Sequence, residues 1–281
     1  MLDKILRRLP TFRGKYRVMK FLYGQMLKST QEILLEGKYS CKYFLPNLTE
    51  NVGLDIFING IYEEETVNFL NRIIPPNGKF MDIGANIGAI SIPLSKRRGD
   101  IQVLAVEAAP WIFEYLEKNV SVNQLRNISL VNNAVFDTDN VEMDFFSPRE
   151  KYGKGSLSPV FSQDGIKILT RQVDTIIREY SFESVNTLKV DVEGFEHFVF
   201  KGALNLLKSD NPPDIVFEFV DWAEGCAMNL LPGSAQQLLL DLGYDLFQLK
   251  GNEIIKLNGI MTKGSANLFA SQNASKRLLK R

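Results

Sequence analysis

Residues 79–90, KFMDIGANIGAI, contain the motif that decides the fold. An apolar strand ends at Asp82, and the chain then turns through Gly84, Asn86 and Gly88 toward a helix. Glycine is needed where the backbone approaches a ligand closely or takes a positive φ. The start of the following helix directs unpaired backbone N–H groups at the turn. The segment therefore predicts a nucleotide-type pocket without specifying which nucleotide it binds.

This turn departs from the dinucleotide-binding fingerprint. A G-x-G-x-x-G pattern that begins at Gly84 needs glycines at positions 86 and 89, where the chain has Asn86 and Ala89. The glycine that lets a pyrophosphate lie against the backbone is therefore missing. Asp82 would repel a phosphate and attract an ammonium group or a cationic sulfur. S-adenosyl-methionine carries both groups, so the motif favours methyl transfer over hydride transfer.

A second acid lies at the spacing expected for a ribose contact. The apolar run Ile101–Val106 ends at Glu107, about 20 residues beyond the glycine turn. An acid at the tip of the second strand can accept hydrogen bonds from both ribose hydroxyls. An ordinary strand-end carboxylate that faces water is the alternative. Together with the glycine turn, Glu107 is better explained as a cofactor ligand.

Strands and helices alternate along residues 77–270, which is typical of an α/β fold with a doubly wound, mostly parallel sheet. The expected strands lie near residues 79–83, 102–106, 128–132, 186–191, 214–219 and 244–248. The expected helices lie near residues 87–97, 110–122, 196–207 and 233–242. Segment 138–172 has weak periodicity and several Gly and Pro residues, so we expect a hairpin plus a loop near the substrate.

Several segments, in order along the chain, resemble the FkbM-type methyltransferases, a family of class I S-adenosyl-methionine-dependent enzymes. They are GIYE (60–63), MDIGANIG (81–88), AVEAAP (105–110), VNNAVFD (131–137), LKVDVEGFE (188–196), IVFEF (215–219) and ANLFA (266–270). The family more often has Glu-Pro where this chain has Glu107-Ala108. The resemblance covers residues 55–270, preceded by an N-terminal helical extension, 1–54, and followed by a basic tail, 271–281.

The resemblance implies a Rossmann-like, seven-stranded sheet that binds S-adenosyl-methionine. It implies O-methylation of a hydroxyl on a sugar, glycan, lipid-linked or natural-product acceptor. It also places Asn133 and Ala134 on the adenine side of the cofactor, and Tyr62 and Glu63 in the family's first motif, near the substrate.

Acids converge on the strand ends, where an open α/β sheet leaves its crevice. Asp191 and Glu193 end the fourth strand, Glu218 ends the fifth, and Trp222 follows it. We interpret Asp191 and Glu193 as catalytic, because methyl transfer to a hydroxyl needs a base to remove its proton. Glu218 and Trp222 are candidate substrate contacts.

Two alternatives to a general base stay open for these acids. Together they could hold Mg²⁺ or Mn²⁺, which prefer carboxylate oxygens. Glu193 could instead cap the following helix. His197, the only histidine, is flanked by Phe195, Phe198 and Phe200, so we expect it to pack rather than to act as the base.

Composition and charge exclude several classes of protein. The 281 residues are 45% hydrophobic and 23% charged, with a net charge of zero, so no global field attracts nucleic acid. Cys41 and Cys226 fit neither a zinc site nor a disulfide framework, which favours reduced thiols and a cytoplasmic location. No apolar stretch is long enough to span a bilayer.

The N-terminal segment is a local charge anomaly. Asp3 is its one acid before Glu32, against eight basic residues, at positions 4, 7, 8, 13, 15, 17, 20 and 28. Leu2, Ile5, Leu6 and Leu9 recur at helical spacing. A basic amphipathic helix can bind an anionic membrane peripherally. Packing on its own domain or on a second subunit is the favoured alternative.

Two function classes follow for this chain, with a third, weaker one. The first is an S-adenosyl-methionine-dependent O-methyltransferase with a small-molecule or glycan acceptor. The second is a non-catalytic protein that uses the same fold to bind S-adenosyl-methionine or a partner, since fold alone does not establish turnover. The third is a nicotinamide oxidoreductase, which Asn86 and Ala89 disfavour.

Overall fold

The computed structural model describes residues 14–28, 30–228, 230–251 and 253–274. The predicted basic tail, apart from residues 271–274, and the apolar repeat at positions 2–9 lie outside the described residues. None of the described helices is long and apolar enough to cross a membrane.

Ten α-helices occur in the described residues. They are α1 Lys15–Tyr23, α2 Asn51–Asn59, α3 Glu64–Ile73, α4 Ser91–Arg97, α5 Pro110–Val122, α6 Val173–Glu179, α7 Glu196–Lys201, α8 Leu204–Leu207, α9 Asp221–Gly225 and α10 Ser234–Asp241. Short 3₁₀ turns occupy Met26–Lys28, Lys38–Ser40 and Arg149–Lys151.

Thirteen strands occur in the same residues. They are β1 Ile33–Glu36, β2 Lys42–Leu45, β3 Lys79–Ile83, β4 Gln102–Val106, β5 Ile128–Val131, β6 Ala134–Val135, β7 Glu142–Phe146, β8 Gly165–Arg171, β9 Thr187–Val190, β10 Asp214–Val220, β11 Asp245–Lys250, β12 Glu253–Lys256 and β13 Ser265–Ser271.

The main sheet is the mostly parallel, doubly wound sheet that the sequence predicts. Its strand order is β12-β11-β13-β10-β9-β3-β4-β5. Strands β10, β9, β3, β4 and β5 are parallel, and β13, β11 and β12 add antiparallel pairs at one side. In the described residues this sheet has eight strands, one more than the expected seven, because β12 forms a hairpin with β11.

Both faces of the central strands are buried, as is usual where helices cover a parallel sheet. Neighbouring residues of β3 alternate between the two sides: Phe80 packs in the cluster with Leu70 and Phe269, and Met81 packs in the cluster with Leu188 and Leu239. Packing on both sides holds the strands in place, so the positions of the polar residues at the strand ends are also set.

Two helices differ from the expected bounds for backbone reasons. Helix α4 begins at Ser91 rather than near 87, because Asn86 and Gly88 have φ of 52° and 86°, which a right-handed helix cannot contain. The helix expected over 196–207 is interrupted after Lys201, where Gly202 packs against the carbonyl oxygen of Phe136.

Segment 138–172 forms a hairpin with a long connection. Strand β7 pairs antiparallel with β8, and residues 147–164 connect them. We call residues 147–164 the β7–β8 loop. Residues 14–54 contain helix α1 and an antiparallel hairpin of β1 and β2, and helix α2 crosses the expected domain boundary at 54/55.

Candidate active site

A cleft of about 890 Å³ lies at the carboxyl ends of β3, β4, β5 and β9. The glycine turn after β3 and Glu107 form one part of its wall, and Asp191 and Glu193 form another. The β7–β8 loop contributes Tyr152 and Leu157. The cleft therefore contains the crevice predicted for this fold, with cofactor-type and acidic residues side by side.

The glycine turn is held by backbone contacts on two sides. The N–H groups of Gly84 and Ala85 donate to the carbonyl oxygen of Val106, at 3.0 and 2.9 Å. Gly84 has a φ of 80°, and a Cβ atom at this position would lie 1.9 Å from the carbonyl oxygen of Asp191. Only glycine fits here, because both the backbone angle and the space exclude a side chain.

Asn86 connects the turn to two other parts of the site. Its backbone N–H donates to Oε2 of Glu107 at 2.9 Å, and its side-chain Nδ2 donates to the carbonyl oxygen of Tyr152 at 2.8 Å. The φ of 52° at Asn86 is one that asparagine adopts more readily than most residues. Asn86 therefore fixes the distance between the turn and the β7–β8 loop.

Glu107 is buried at the tip of β4 with both carboxylate oxygens bonded. Oε1 accepts from the N–H of Ala109 at 2.8 Å, and Oε2 accepts from Asn86. Burial raises the pKa of Glu107 to about 7, although the backbone donors oppose that shift. Each oxygen keeps a further lone pair, so the carboxylate can accept hydroxyl hydrogen bonds from the cleft.

Asp82 and Gly88 lie behind the cleft wall. Asp82 is fully buried, where its Oδ2 accepts from Ser91 Oγ at 2.5 Å and its Oδ1 lies 3.8 Å from Lys189 Nζ. Burial raises the pKa of Asp82, opposed by Lys189 and Ser91. Gly88 makes room for Ile92 and Leu116. Both residues support the turn from below.

Asn133 and Ala134 line the cleft just beyond β5. They share this cleft with Val106 and Glu107, and their place on the adenine side stays a prediction. Phe145 and Leu157 complete an apolar wall there.

Asp191, Glu193 and Glu218 form an acid cluster at the ends of β9 and β10. One carboxylate oxygen from each residue lies within 4.8 Å of the others. Two lysines contact the cluster: Lys189 Nζ lies 3.1 Å from Asp191 Oδ2, and Lys154 Nζ lies 2.7 Å from Glu193 Oε1. The sequence prediction that these three acids converge is reproduced by this geometry.

Glu193 has an unusual environment within the acid cluster. Its side chain is 6% exposed, and its φ is 52°. Among the described residues, Oε2 has no hydrogen-bond partner, whereas Oε1 is held by Lys154. Burial and the Asp191 charge raise the pKa of Glu193 to about 7, against the opposing effect of Lys154.

The crowding of charges also changes the pKa values of Glu218 and Lys189. Burial, with the charges of Asp191 and Glu193, raises the pKa of Glu218 to about 8. Burial alone would lower the pKa of Lys189, but Asp191, Asp82 and Glu63 raise it above its usual value. The buried lysine therefore stays charged and links Asp82, under the turn, to Asp191 in the acid cluster.

Tyr62 and Glu63 stand beside this acid cluster, at the start of α3. Tyr62 lines the cleft, and burial together with Glu63, Asp191 and Glu218 raises its pKa well above the usual value. Burial also raises the pKa of Glu63. Trp222 is 48% exposed and packs edge-on against Phe161 of the β7–β8 loop, with ring centroids 5.6 Å apart.

Comparison with known families decides the identity of the fold and its cofactor. The profile of the methyltransferase FkbM domain matches residues 82–246, more than half of the chain. The chain belongs to the FkbM methyltransferase family. Its members use S-adenosyl-methionine, which confirms the cofactor class inferred from the glycine turn and disfavours the nicotinamide alternative.

Individual relatives are distant from this FkbM chain. The methyltransferase sdnD of Sordaria araneosa is 24% identical over 159 residues, which cover 46% of this chain and 61% of that protein. The AMB antimetabolite synthetase AmbE of Pseudomonas aeruginosa is 24% identical over 192 residues, 56% of this chain and 9% of that protein. The chain spans less than two thirds of the length of these curated relatives.

Solved structures with a similar arrangement are also remote in sequence. TYW2 of M. jannaschii in complex with AdoMet has a TM-score of 0.42 at 14% identity, covering 86% of this chain and 85% of that one. A precorrin-6y C5,15-methyltransferase from Geobacter metallireducens has a TM-score of 0.42 at 14% identity, covering 75% of this chain and 92% of that one.

The residues present fit the cofactor of the FkbM family. The side-chain-free turn at Gly84, the bonded carboxylate of Glu107 and the apolar wall near Ala134 offer surfaces for an amino acid, a ribose and an adenine. These surfaces line one continuous cleft, and the acid cluster continues it.

The acid cluster could also hold a divalent cation, since three carboxylate oxygens approach one another. Lys154 and Lys189 already bring two positive charges to two of those three acids. The lysines thus supply charge compensation that a cation would otherwise provide.

Two residues that make contacts in the cleft were not among the sequence predictions. Lys154 holds Glu193, and Tyr152 receives the hydrogen bond from Asn86. Their only sequence signal is the pair of glycines that flank Lys154, in YGKG (152–155). His197, as expected, packs: its Nδ1 lies 3.2 Å from the carbonyl oxygen of Ser234, and its ring meets Phe198 edge-on.

Proposed function

We propose that this FkbM methyltransferase transfers the methyl group to a hydroxyl oxygen of a sugar, glycan, lipid-linked or natural-product acceptor. The observation that carries the proposal is the hydrogen bonding of the Glu193 carboxylate. One of its oxygens is held by Lys154, and the other has no hydrogen-bond partner in the described part of the chain. That free oxygen can take the proton that a hydroxyl loses when it is methylated.

The cofactor residues would hold S-adenosyl-methionine along one side of the cleft. Gly84, Asn86 and Glu107 would bind its amino acid and ribose, and Asn133 and Ala134 would bind its adenine. When bound, the cofactor supplies an electrophilic methyl group on a positively charged sulfur. The glycine turn packs directly on the backbone of Asp191. This contact holds the cofactor residues at a fixed distance from the acid cluster.

In this proposal, Glu193 removes the proton of the acceptor hydroxyl. The acceptor oxygen forms a bond to the methyl carbon as the carbon–sulfur bond breaks, and its proton passes to Glu193 Oε2. A base works best when its pKa lies near the operating pH, and burial raises the pKa of Glu193 to about 7. Lys154 orients the carboxylate through Oε1.

Asp191 and the substrate candidates have supporting roles in the proposal. Asp191 is paired with Lys189, so it positions the acid cluster and raises the proton affinity of Glu193 through its charge. Tyr62, Glu63 and Glu218 would contact the polar groups of the acceptor. Trp222, exposed beside the β7–β8 loop, would contact its distal part.

The decisive test is Glu193→Gln, assayed by release of S-adenosyl-homocysteine with a panel of hydroxyl acceptors. Loss of a general base lowers kcat by about 10²–10⁴-fold, and the affinity for S-adenosyl-homocysteine, measured by calorimetry, should be unchanged. Glu196→Gln is the matched control, because Glu196 is also buried but accepts from the N–H of Val192. Wild-type kcat in Glu193→Gln would contradict the role of Glu193.

The pH profile gives a second test of the same role. The base acts only when deprotonated, so kcat/KM should rise between pH 5 and pH 8, through the pKa of about 7, and Glu193→Gln should lose this rise. Cofactor binding without turnover on any hydroxyl acceptor would favour the non-catalytic alternative.

A further inference from the structure

Helix α1 packs on the domain with one face only. Met19 is fully buried in the cluster that contains Leu48 and Ile56. Tyr23 meets Phe57 of α2 edge-on, with ring centroids 5.7 Å apart. This packing agrees with the sequence alternative that the N-terminal segment contacts its own domain, and it leaves the opposite face of α1 free in the described structure.

The sides of α1 that do not pack on the domain expose large apolar side chains. Phe21 is 88% exposed, an extreme value for phenylalanine. The other exposed apolar residues of α1 and the turn after it are Tyr16, Val18, Leu22 and Met26. At 100° per residue, Phe21 lies roughly opposite Met19, Val18 and Leu22 lie on one side of it, and Tyr16 lies on the other side beyond Arg17 and Lys20. Exposed apolar residues gathered in this way around basic ones usually mark a binding site.

All charges on this part of the chain are positive. The charged residues between positions 14 and 28 are Lys15, Arg17, Lys20 and Lys28, and Arg17, Lys20 and Lys28 are exposed. The preceding sequence adds Lys4, Arg7, Arg8 and Arg13 against Asp3. Because the whole chain has zero net charge, the positive charge is concentrated at this end.

We infer that this surface docks on an anionic membrane. We call it the α1 face and define it by Tyr16, Val18, Phe21, Leu22 and Met26 with Arg17, Lys20 and Lys28. Apolar side chains that insert at the headgroup boundary, combined with basic residues at its edge, are the two elements of peripheral membrane binding. Each element is weak alone, and the α1 face offers both.

A second copy of the chain fits this surface less well. A two-fold dimer would bring the same patch of each subunit together, so Arg17, Lys20 and Lys28 would face their own copies across the interface. Like charges placed opposite each other disfavour such a contact. An anionic lipid surface neutralises the same three residues.

The α1 face adjoins the cleft. Tyr16 and Tyr62 both line a groove of about 800 Å³ between α1 and α2, and Tyr62 also lines the cofactor cleft. A membrane bound to the α1 face would therefore lie on the side of the molecule where this groove begins. The inference stands independently of the proposed acceptor, because it concerns the surface and not the reaction.

The test is co-sedimentation of the full chain with vesicles. We expect binding to phosphatidylserine–phosphatidylcholine vesicles, little binding to phosphatidylcholine vesicles, and release as salt is raised to about 0.5 M. Phe21→Ser with Leu22→Ser should weaken partitioning by about tenfold or more. Arg17→Glu with Lys20→Glu should weaken it by about tenfold or more.

Matched controls come from the β11–β12 hairpin. Ile255→Ser replaces another exposed apolar residue and Lys250→Glu another exposed lysine, and both should bind vesicles like the wild type. Circular dichroism on heating checks that each variant is folded, and the salt titration of the wild type needs no variant at all.

Three results would overturn the inference. One is equal binding to neutral and anionic vesicles, or none to either. Another is wild-type partitioning by the Phe21→Ser and Leu22→Ser double variant. A third is a dimer in sedimentation velocity that this double variant converts to monomers, which would assign the α1 face to a second copy.

Discussion

Glu107 and Glu193 are both buried glutamates in one cleft, and burial raises the pKa of each to about 7, yet their carboxylates have different partners. Both oxygens of Glu107 accept backbone N–H groups. Of the two oxygens of Glu193, one is held by Lys154, and the other has no partner among the described residues. A raised pKa alone therefore does not separate a binding carboxylate from a reactive one.

The comparison extends to the two parts of the site around these residues. Around Glu107, rigid backbone groups fix the geometry before a ligand arrives, which lowers the cost of binding. Around Glu193, three acids and two lysines crowd together, so small changes in charge alter proton affinity. Substitutions in each part test whether the two parts act separately.

The largest effect is expected from Gly84→Ala, which acts on the backbone that joins the two parts. The new Cβ would meet the Asp191 carbonyl oxygen at 1.9 Å, at a φ of 80°. We expect the free energy of unfolding to fall by about 3 kcal/mol or more, with loss of S-adenosyl-homocysteine binding. Chemical denaturation and calorimetry measure both.

Gly243→Ala is the matched control for Gly84→Ala. Gly243 has a φ of 85° and open space around its Cβ position, so the expected cost is only the roughly 1–2 kcal/mol of placing a side chain on left-handed backbone. Equal destabilisation by the two substitutions would show that the contact with Asp191 has no energetic weight.

Next in size is Glu107→Ala, which removes the proposed ribose acceptor and the backbone anchor. A hydrogen bond to a charged group is worth about 1.5–3 kcal/mol, so the loss of even one ribose contact should lower S-adenosyl-homocysteine affinity by about tenfold to a hundredfold. Calorimetry checks this, with the exposed Glu117→Ala as control. If the pH dependence of residual kcat/KM also changed, the two parts of the site would not be independent.

A smaller effect is expected from Lys154→Met, which acts on the reactive part alone. Removing the cation should raise the pKa of Glu193 by about one unit, so the rising part of the pH profile moves to higher pH. The cofactor affinity should be unaffected, and Lys151→Met serves as control. An unchanged profile would mean that Glu193 is not the titrating group.

The smallest effect concerns the stability of the cofactor-free protein with Glu218→Gln. Folding raises the pKa of Glu218 from 4.5 to about 8, so the folded state binds more protons between those values. Its stabilising contribution is complete below pH 4.5 and is lost as the pH rises through 8. The variant loses this dependence.

The thermal midpoint of Glu218→Gln at pH 8 should therefore exceed that of the wild type by roughly 2–4 °C, with a smaller difference at pH 5. Scanning calorimetry at both pH values measures this, and the exposed Glu253→Gln is the control. An equal increase in the thermal midpoint at pH 5 and at pH 8 would show that the raised pKa of Glu218 is not its cause.

The sequence predicted the parallel sheet because its strands are apolar runs that end in polar residues, as in Val103–Glu107 and Ile215–Glu218. It also predicted that Asp191, Glu193 and Glu218 would meet, because parallel strands end at one edge. It could not predict that Asp82 is fully buried, because no local pattern shows that Lys189, on a neighbouring strand, compensates its charge.

Other features depend on contacts between distant segments. Lys154 reaches Glu193 across 39 positions of the chain, and Asn86 reaches Tyr152 across 66. The β7–β8 loop carries no periodic pattern that would indicate either contact. Two strands of the main sheet, β12 and β13, were not among the six that the sequence pattern predicted. Strand β12, Glu253–Lys256, is short and largely exposed, so it lacks the apolar pattern of a central strand.

The β7–β8 loop is fastened at Tyr152 by Asn86 and, two positions later, at Lys154 by Glu193. The hydroxyls of Ser156 and Ser158 fasten it again, to the carbonyl oxygens of Glu193 and Cys226. Phe161 lies over Lys154 Nζ and packs on Trp222, whereas exposed residues beyond Ser158, such as Val160 and Gln163, can vary in size and polarity without moving an anchor. A designer who wishes to retarget the enzyme should therefore diversify positions 159–160 and 162–164, and leave 152–158 and Phe161 intact.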